Sequence, residues 1–211
     1  MPIEAHPGEH HRSMPAIFLD RDGTLIEDRG YLRSPADVVF FEESVPALRR
    51  LQAHFQLFMV TNQSGVAKGE LTLEEVDQVN AHVVNTLRQA GVTITAVYVC
   101  PHQRTDNCAC IKPKPFFLER AALEYGVNLQ RSYSIGDHLH DVELAQYAGG
   151  TGIYVLTGHG MKHWSEVFGK AIVTKHIGEA ADWILEREES FSIPALGTDQ
   201  PLTRPNLVAA T

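Results

Sequence analysis

Short apolar runs alternate with segments of helical period along this chain, at Ala16–Leu19, Leu57–Val60, Ile94–Val99, Tyr133–Ile135 and Gly152–Leu156. This alternation constrains the fold more than any other feature. Runs this short and this apolar read as strands buried on both faces. Strands separated by helix-length segments are joined by crossovers, which makes them neighbours in a parallel sheet built from βαβ units.

The intervening segments carry helix punctuation. Thr72 and Glu75 form a capping box ahead of Val76, Val79, Val83 and Leu87, which share one face, and Gly91 stops the run. Pro115 opens a second helix through Leu118, Ala121, Ala122 and Tyr125, closed by Gly126, and a third runs from about Asp141 to Ala148. A chain of 211 residues suits one core. We therefore expect a single domain over residues 14–189, a flexible N-terminal extension over 1–13 and a loose tail over 190–211.

Charge and hydropathy narrow the function classes. The net charge of -8 repels polyanions, so nucleic acid is not an expected partner. No apolar run reaches the length of a membrane helix, and Met1 to Ser13 carry His, Glu and Pro where a signal peptide is apolar. The expectation is a cytoplasmic protein with no membrane partner.

Cys100, His102, Cys108 and Cys110 fall in one short stretch as C-x-H and C-x-C. Three clustered cysteines without an export signal read as metal ligands rather than a disulfide framework, and with the histidine they match a structural Zn²⁺ tetrahedron. Four protein ligands leave no open position for chemistry. The zinc is expected to stabilise a small loop.

Chemistry is expected at strand ends. Asp20 and Asp22 follow the first run directly, where open α/β sheets bind ligands. An ionised Asp20 could attack phosphorus, and Asp22 could protonate the leaving alcohol and later take a proton from water. Gly23 allows the backbone to turn close to a phosphate. After the second run, Thr61, Asn62, Gln63 and Ser64 offer donors to phosphoryl oxygens. After the fourth, Asp137 and Asp141 supply carboxylates of the kind Mg²⁺ requires, and Lys112 offers a fixed positive charge.

Asp20-x-Asp22-Gly23-Thr24, Thr61, Lys112 and Gly136-Asp137-x-x-x-Asp141 together resemble the four motifs of the haloacid dehalogenase superfamily of phosphatases. Residues 16–24, 61–69 and Cys100-Pro101-His102 are similar to its heptose 1,7-bisphosphate phosphatase branch, which neighbours the histidinol-phosphate phosphatases. The resemblance implies an α/β fold: a Rossmann-like parallel sheet with helices on both faces, no large cap domain and the zinc loop. It also implies an aspartyl-phosphate mechanism, with Mg²⁺ held by the Asp20 side chain, the Asp22 backbone carbonyl and Asp137, and with Asp141 in support. The substrate is then a small phosphorylated sugar bound by a monomer, and Asp28-Arg29-Gly30-Tyr31 match the branch's substrate loop.

Two positions depart from that pattern. Ile111 stands where the branch carries Arg, and His138 where it carries another cation, so recognition of a second, remote phosphate is expected to be weak unless Arg29 supplies a contact. Histidinol phosphate is the alternative substrate. A polynucleotide 3′-phosphatase shares the first two motifs but needs a basic strip that is missing here, and a non-catalytic zinc module has no use for the aspartates. The other histidines, His159 among them, are expected to be solvated or locally satisfied, and Trp164 and Trp183 to be packing residues.

Overall fold

The computed structural model describes residues 13–192. The expected flexible extension, apart from Ser13, lies outside the described residues, as does the expected tail beyond Ser192. Six parallel strands form one sheet: β1 (Ala16–Leu19), β2 (Gln56–Asn62), β3 (Ala96–Cys100), β4 (Tyr133–Gly136), β5 (Thr151–Val155) and β6 (Ile172–Thr174). Their order is β3-β2-β1-β4-β5-β6. The chain builds outward from β1 to β3 and then returns to β4 on the other side of β1. That reversal is the topological switch point of a Rossmann-like sheet, and it opens a crevice beyond the carboxyl ends of β1 and β4.

Alternation along β1 shows why both faces are covered. Ile17 and Leu19 point into one core with Leu57, Met59 and Ile135, covered by α1 (Ser44–Leu51), α2 (Leu73–Gln89) and α6 (Ile177–Ser192). Ala16 and Phe18 point into the other with Phe58, Val60 and Tyr98, covered by α3 (Phe116–Tyr125) and α4 (Leu139–Tyr147). Phe18 stacks on Phe58 with ring centroids 5.2 Å apart. Burying each such side chain contributes about 1.5–3 kcal/mol. A strand with both faces buried loses this stabilisation on either side if one turn of register slips.

The capping box forms as read, with Glu75 N donating to Thr72 Oγ1 and Thr72 N to Glu75 Oε2. Among the described residues no separate cap domain interrupts the sheet. The connection from β1 to α1 carries only a 3₁₀ turn at Pro35–Asp37 and is anchored by buried Leu25, Ile26 and Leu32. Four elements escaped the sequence reading: β6, α1, α5 (Gly160–Val167) and α6. The last of these runs through Ser192, so Ser190 to Ser192 are helical where a loose tail was expected. Trp164 on α5 is 45% exposed and packs edge-on against Phe168, with ring centroids 5.6 Å apart.

Candidate active site

Asp20 lies one residue beyond β1, and its N–H donates to Ile135 O of β4 at 2.9 Å, which seats it at the switch point. The Asp20 carboxylate accepts from Lys112 Nζ at 2.7 Å. Lys112 also donates to Asp141 Oδ1 at 2.6 Å and to Val60 O at 3.1 Å. All three side chains are at most 10% exposed. Burial pushes the Asp20 carboxyl up to about 8; Lys112 opposes this, while Asp141, Asp137 and Asp22 add to it. Burial also works against the Lys112 ammonium, but Asp141 and Asp20 outweigh it and hold Lys112 above the usual lysine range. The site thus carries more negative charge than one lysine neutralises.

Asp137, one residue beyond the β4 backbone pairing and fully buried, accepts from His159 N at 2.7 Å and faces His138 Nδ1 at 2.7 Å. Gly23 lets it approach: a Cβ there would lie 2.1 Å from Asp137 Oδ2, and the residue has φ +79°. Gly136 serves Asp141 in the same way, since its Cβ would lie 2.1 Å from Asp141 Cγ. Asp141 Oδ2 accepts from His138 N and so caps α4. Ligand atoms of Asp137, His138 and Asp141 all lie within 4.8 Å of one another. With Asp20 facing them across Lys112, this oxygen-rich, under-neutralised set fits a hard divalent cation.

Asp22 is held from two sides. Arg21, fully buried, donates from Nε and Nη2 to the Asp22 carboxylate and from Nη1 to Asn80 Oδ1 of α2 at 2.7 Å. Gln63 Nε2 donates to Asp22 Oδ2 at 2.9 Å and to Thr61 Oγ1 at 2.8 Å. Thr61 Oγ1 accepts that bond, so its own proton is available to a phosphoryl oxygen.

Asp20, Asp22, Thr61, Gln63, Lys112 and Asp141 line a cavity of about 530 Å³, a volume suited to a small metabolite. Of the expected substrate residues, Asp28, Gly30, Tyr31, Asn62, Gln63, Ser64, Ile111 and His138 line it. Arg29 does not. It turns away to pair with Glu27 at 2.8 Å, which corrects the expectation that it reaches a remote phosphate. Ile111 packs into the apolar core at the cavity floor. The hydrogen bond from His138 to Asp137 outweighs burial and pushes the imidazole up to about 9.

The sequence reading missed Arg21, and it missed His159, whose Nε2 lies 3.1 Å from Asp28 Oδ2. It also missed Lys68, Gln103, Arg104, Thr105 and His140 on the cavity wall. Burial and the charge of Arg104 hold the His140 imidazole below its ordinary value. No local pattern marks these residues; the fold alone brings them to the cavity.

Cys100, His102, Cys108 and Cys110 converge beyond β3. Cys110 Sγ lies 3.4 Å from both Cys100 Sγ and His102 Nδ1, Cys108 Sγ lies 3.6 Å from the other two sulfurs, and Cys100 Sγ lies 3.8 Å from His102 Nδ1. A tetrahedron with zinc–sulfur bonds of about 2.3 Å has edges of roughly 3.8 Å, so the four donors fit one ion. Lys114 Nζ donates to Cys108 O at 2.6 Å and ties the loop to the start of α3.

A parallel sheet that gathers four aspartates and a lysine at its switch point is the architecture of a haloacid dehalogenase-type hydrolase, and the HAD-hydrolase-like family matches residues 109–180. The D-glycero-beta-D-manno-heptose-1,7-bisphosphate 7-phosphatase of Yersinia pestis is 35% identical over 183 residues, covering 82% of this chain and 91% of that protein. Its Escherichia coli K12 counterpart is 33% identical with 82% and 90% covered. The crystal structure of D,D-heptose 1,7-bisphosphate phosphatase from B. bronchiseptica, complexed with magnesium and phosphate, superposes with a TM-score of 0.76 at 31% identity, covering 82% of this chain and 99% of that one. The chain belongs to this heptose-bisphosphate phosphatase family, a group of phosphoric monoester hydrolases.

Proposed function

We propose that this chain is a Mg²⁺-dependent phosphatase that removes the 7-phosphate of D-glycero-β-D-manno-heptose 1,7-bisphosphate. The observation that carries the reading is the Asp20 carboxylate, held 2.7 Å from buried Lys112 at the mouth of the switch-point crevice. Asp20 attacks phosphorus, a bond forms between Asp20 and phosphorus, and the ester P–O bond breaks as Asp22 delivers a proton to the departing sugar oxygen. Water then attacks the aspartyl-phosphate, gives a proton to Asp22 and releases inorganic phosphate, which restores Asp20. Lys112 and the Thr61 hydroxyl offset charge on the transferring phosphoryl oxygens, and Asn62, Gln63 and Ser64 line their approach.

The Asp20 side chain, the Asp22 backbone carbonyl and Asp137 would hold Mg²⁺, with Asp141 keeping Lys112 in place beside them. When bound, the cation lets an anionic nucleophile approach an anionic phosphate. The cysteine and histidine tetrahedron holds Zn²⁺ in this reading and organises the loop that borders the cavity. Three cysteines without a disulfide among them suit a reducing compartment, and the enzyme is read as a cytoplasmic monomer acting on a small molecule. No helix among the described residues is long and apolar enough to cross a membrane.

The test is a comparison of kcat/KM with Mg²⁺ for heptose 1,7-bisphosphate, histidinol phosphate, p-nitrophenyl phosphate and a 3′-phosphorylated oligonucleotide. The bisphosphate should lead and yield the heptose 1-phosphate. A higher kcat/KM for histidinol phosphate would overturn the substrate assignment.

A further inference from the structure

The cavity has two halves of different chemistry. The inner half holds Asp20, Asp22, Lys112 and Asp141, and every cation there is committed to a carboxylate. The outer half is walled by Lys68 from the turn after β2 and by Gln103, Arg104 and Thr105 from the loop between His102 and Cys108. Nearby arginines that do not line the cavity are neutralised, Arg29 by Glu27 at 2.8 Å and Arg33 by Glu70 at 3.6 Å. Neither Lys68 nor Arg104 has a carboxylate within 4.0 Å among the described residues. Lys68 Nζ is steered instead by Tyr31, 3.2 Å from its hydroxyl and 5.7 Å from its ring centroid. In a chain of net charge -8, two unpaired cations facing one cavity form a local anion trap.

From this we propose that Arg104 and Lys68 form the subsite for the substrate's second phosphate, taking over the role left open by Ile111. The inference rests on the bisphosphate reading above and assigns the recognising residues within it. Arg104 suits the task because a guanidinium offers two parallel N–H donors to a phosphate. It sits on the loop whose Cys100, Cys108, Cys110 and His102 donors converge on one point, so zinc would hold the arginine at a set height over the cavity. Lys68 approaches from the opposite loop as a point charge, and Tyr31 keeps it over the opening. The substrate would then lie with its reacting phosphate at Asp20 and its far phosphate between these two cations.

The test compares kcat/KM for heptose 1,7-bisphosphate and heptose 7-phosphate in the wild type, Arg104→Gln and Lys68→Gln, all with bound metals. Both side chains are exposed, so the variants should fold, and an unchanged Tm and unchanged p-nitrophenyl phosphate turnover check this. The wild type should favour the bisphosphate by roughly tenfold or more, the scale of one charge-assisted contact. Arg104→Gln should remove most of that preference through KM, leave the monophosphate within about twofold, and be rescued in part by Arg104→Lys. A preference that survives in both variants overturns the inference and leaves the substrate reading standing. So does a wild type that turns over both heptose phosphates equally well. If p-nitrophenyl phosphate is hydrolysed but neither heptose phosphate is, the substrate reading fails and takes the subsite with it.

Discussion

The Lys112 ammonium lies 2.7 Å from the Asp20 carboxylate although 92 residues separate them, and the same ammonium reaches Asp141 at 2.6 Å. One buried cation therefore sits between two carboxylates that follow the neighbouring strands β1 and β4 at the same edge of the sheet. Substituting Lys112→Met would leave both in a dry site with nothing opposite them, and breaking a buried pair from one side costs about 3–5 kcal/mol. The variant should lose stability of that order in chelator, measured by urea denaturation, and recover part of it when Mg²⁺ is added. A loss under about 1 kcal/mol would mean that the two carboxylates do not depend on Lys112.

Asp20→Asn keeps shape while replacing the nucleophile by an amide. We expect kcat for any phosphomonoester to fall by at least about a thousandfold, with the fold retained in circular dichroism. A variant keeping more than about a tenth of wild-type kcat would show that another group attacks phosphorus.

Mg²⁺ affinity should depend on pH through Asp20. Its carboxyl is pushed up to about 8 by burial, from an ordinary value near 4. Between these values the folded, metal-free protein binds a proton that the unfolded chain does not, so its stability should fall as pH rises from about 5 to 8. The cation needs the carboxylate, so Mg²⁺ binding should release a proton below pH 8 and tighten by roughly tenfold per pH unit there. Calorimetry in buffers of different ionisation enthalpy reads the released proton directly. An affinity flat from pH 6 to 8 would contradict this, and Asp20→Asn should shrink the slope.

Zinc should copurify at about one per chain, because the four donors already stand at tetrahedral spacing. Cys108→Ser should lower Tm and zinc content together. In the folded fraction, p-nitrophenyl phosphate turnover should change less than discrimination between heptose bisphosphate and monophosphate, because Arg104 sits inside this loop, whereas Lys112, just past Cys110, is held by its own bonds to Asp20, Val60 and Asp141. Native protein with three titratable thiols and no metal would refute the zinc site.

The features legible in the sequence are those encoded by residues close together in the chain. Apolar runs mark β1, β2 and β4, the capping box of Thr72 and Glu75 marks the start of α2, and C-x-H with C-x-C marks the loop where the cysteines and His102 converge. Asp20, Thr61 and Asp137 could be placed because each follows its strand directly, and strand ends in such a sheet share one edge. Period, caps and ligand spacing act over a few residues and need no tertiary structure to be read.

Contacts between distant segments were decided only by the crossovers that bring those segments together. His159 reads as a bystander until the turn before α5 presses its N–H onto Asp137. Arg104 carries no motif, Lys68 falls in the 61–69 stretch without a role being assigned to it, and the two become neighbours of one cavity because β2 and β3 end side by side. β6 and α6 were missed for a related reason: a three-residue edge strand and a half-exposed, acidic helix are stabilised by what they pack on, here Ile153, Val155 and α1, more than by their own pattern. The charge balance at Asp20 belongs to the same class, since burial and three other carboxylates set it and only the folded chain supplies either.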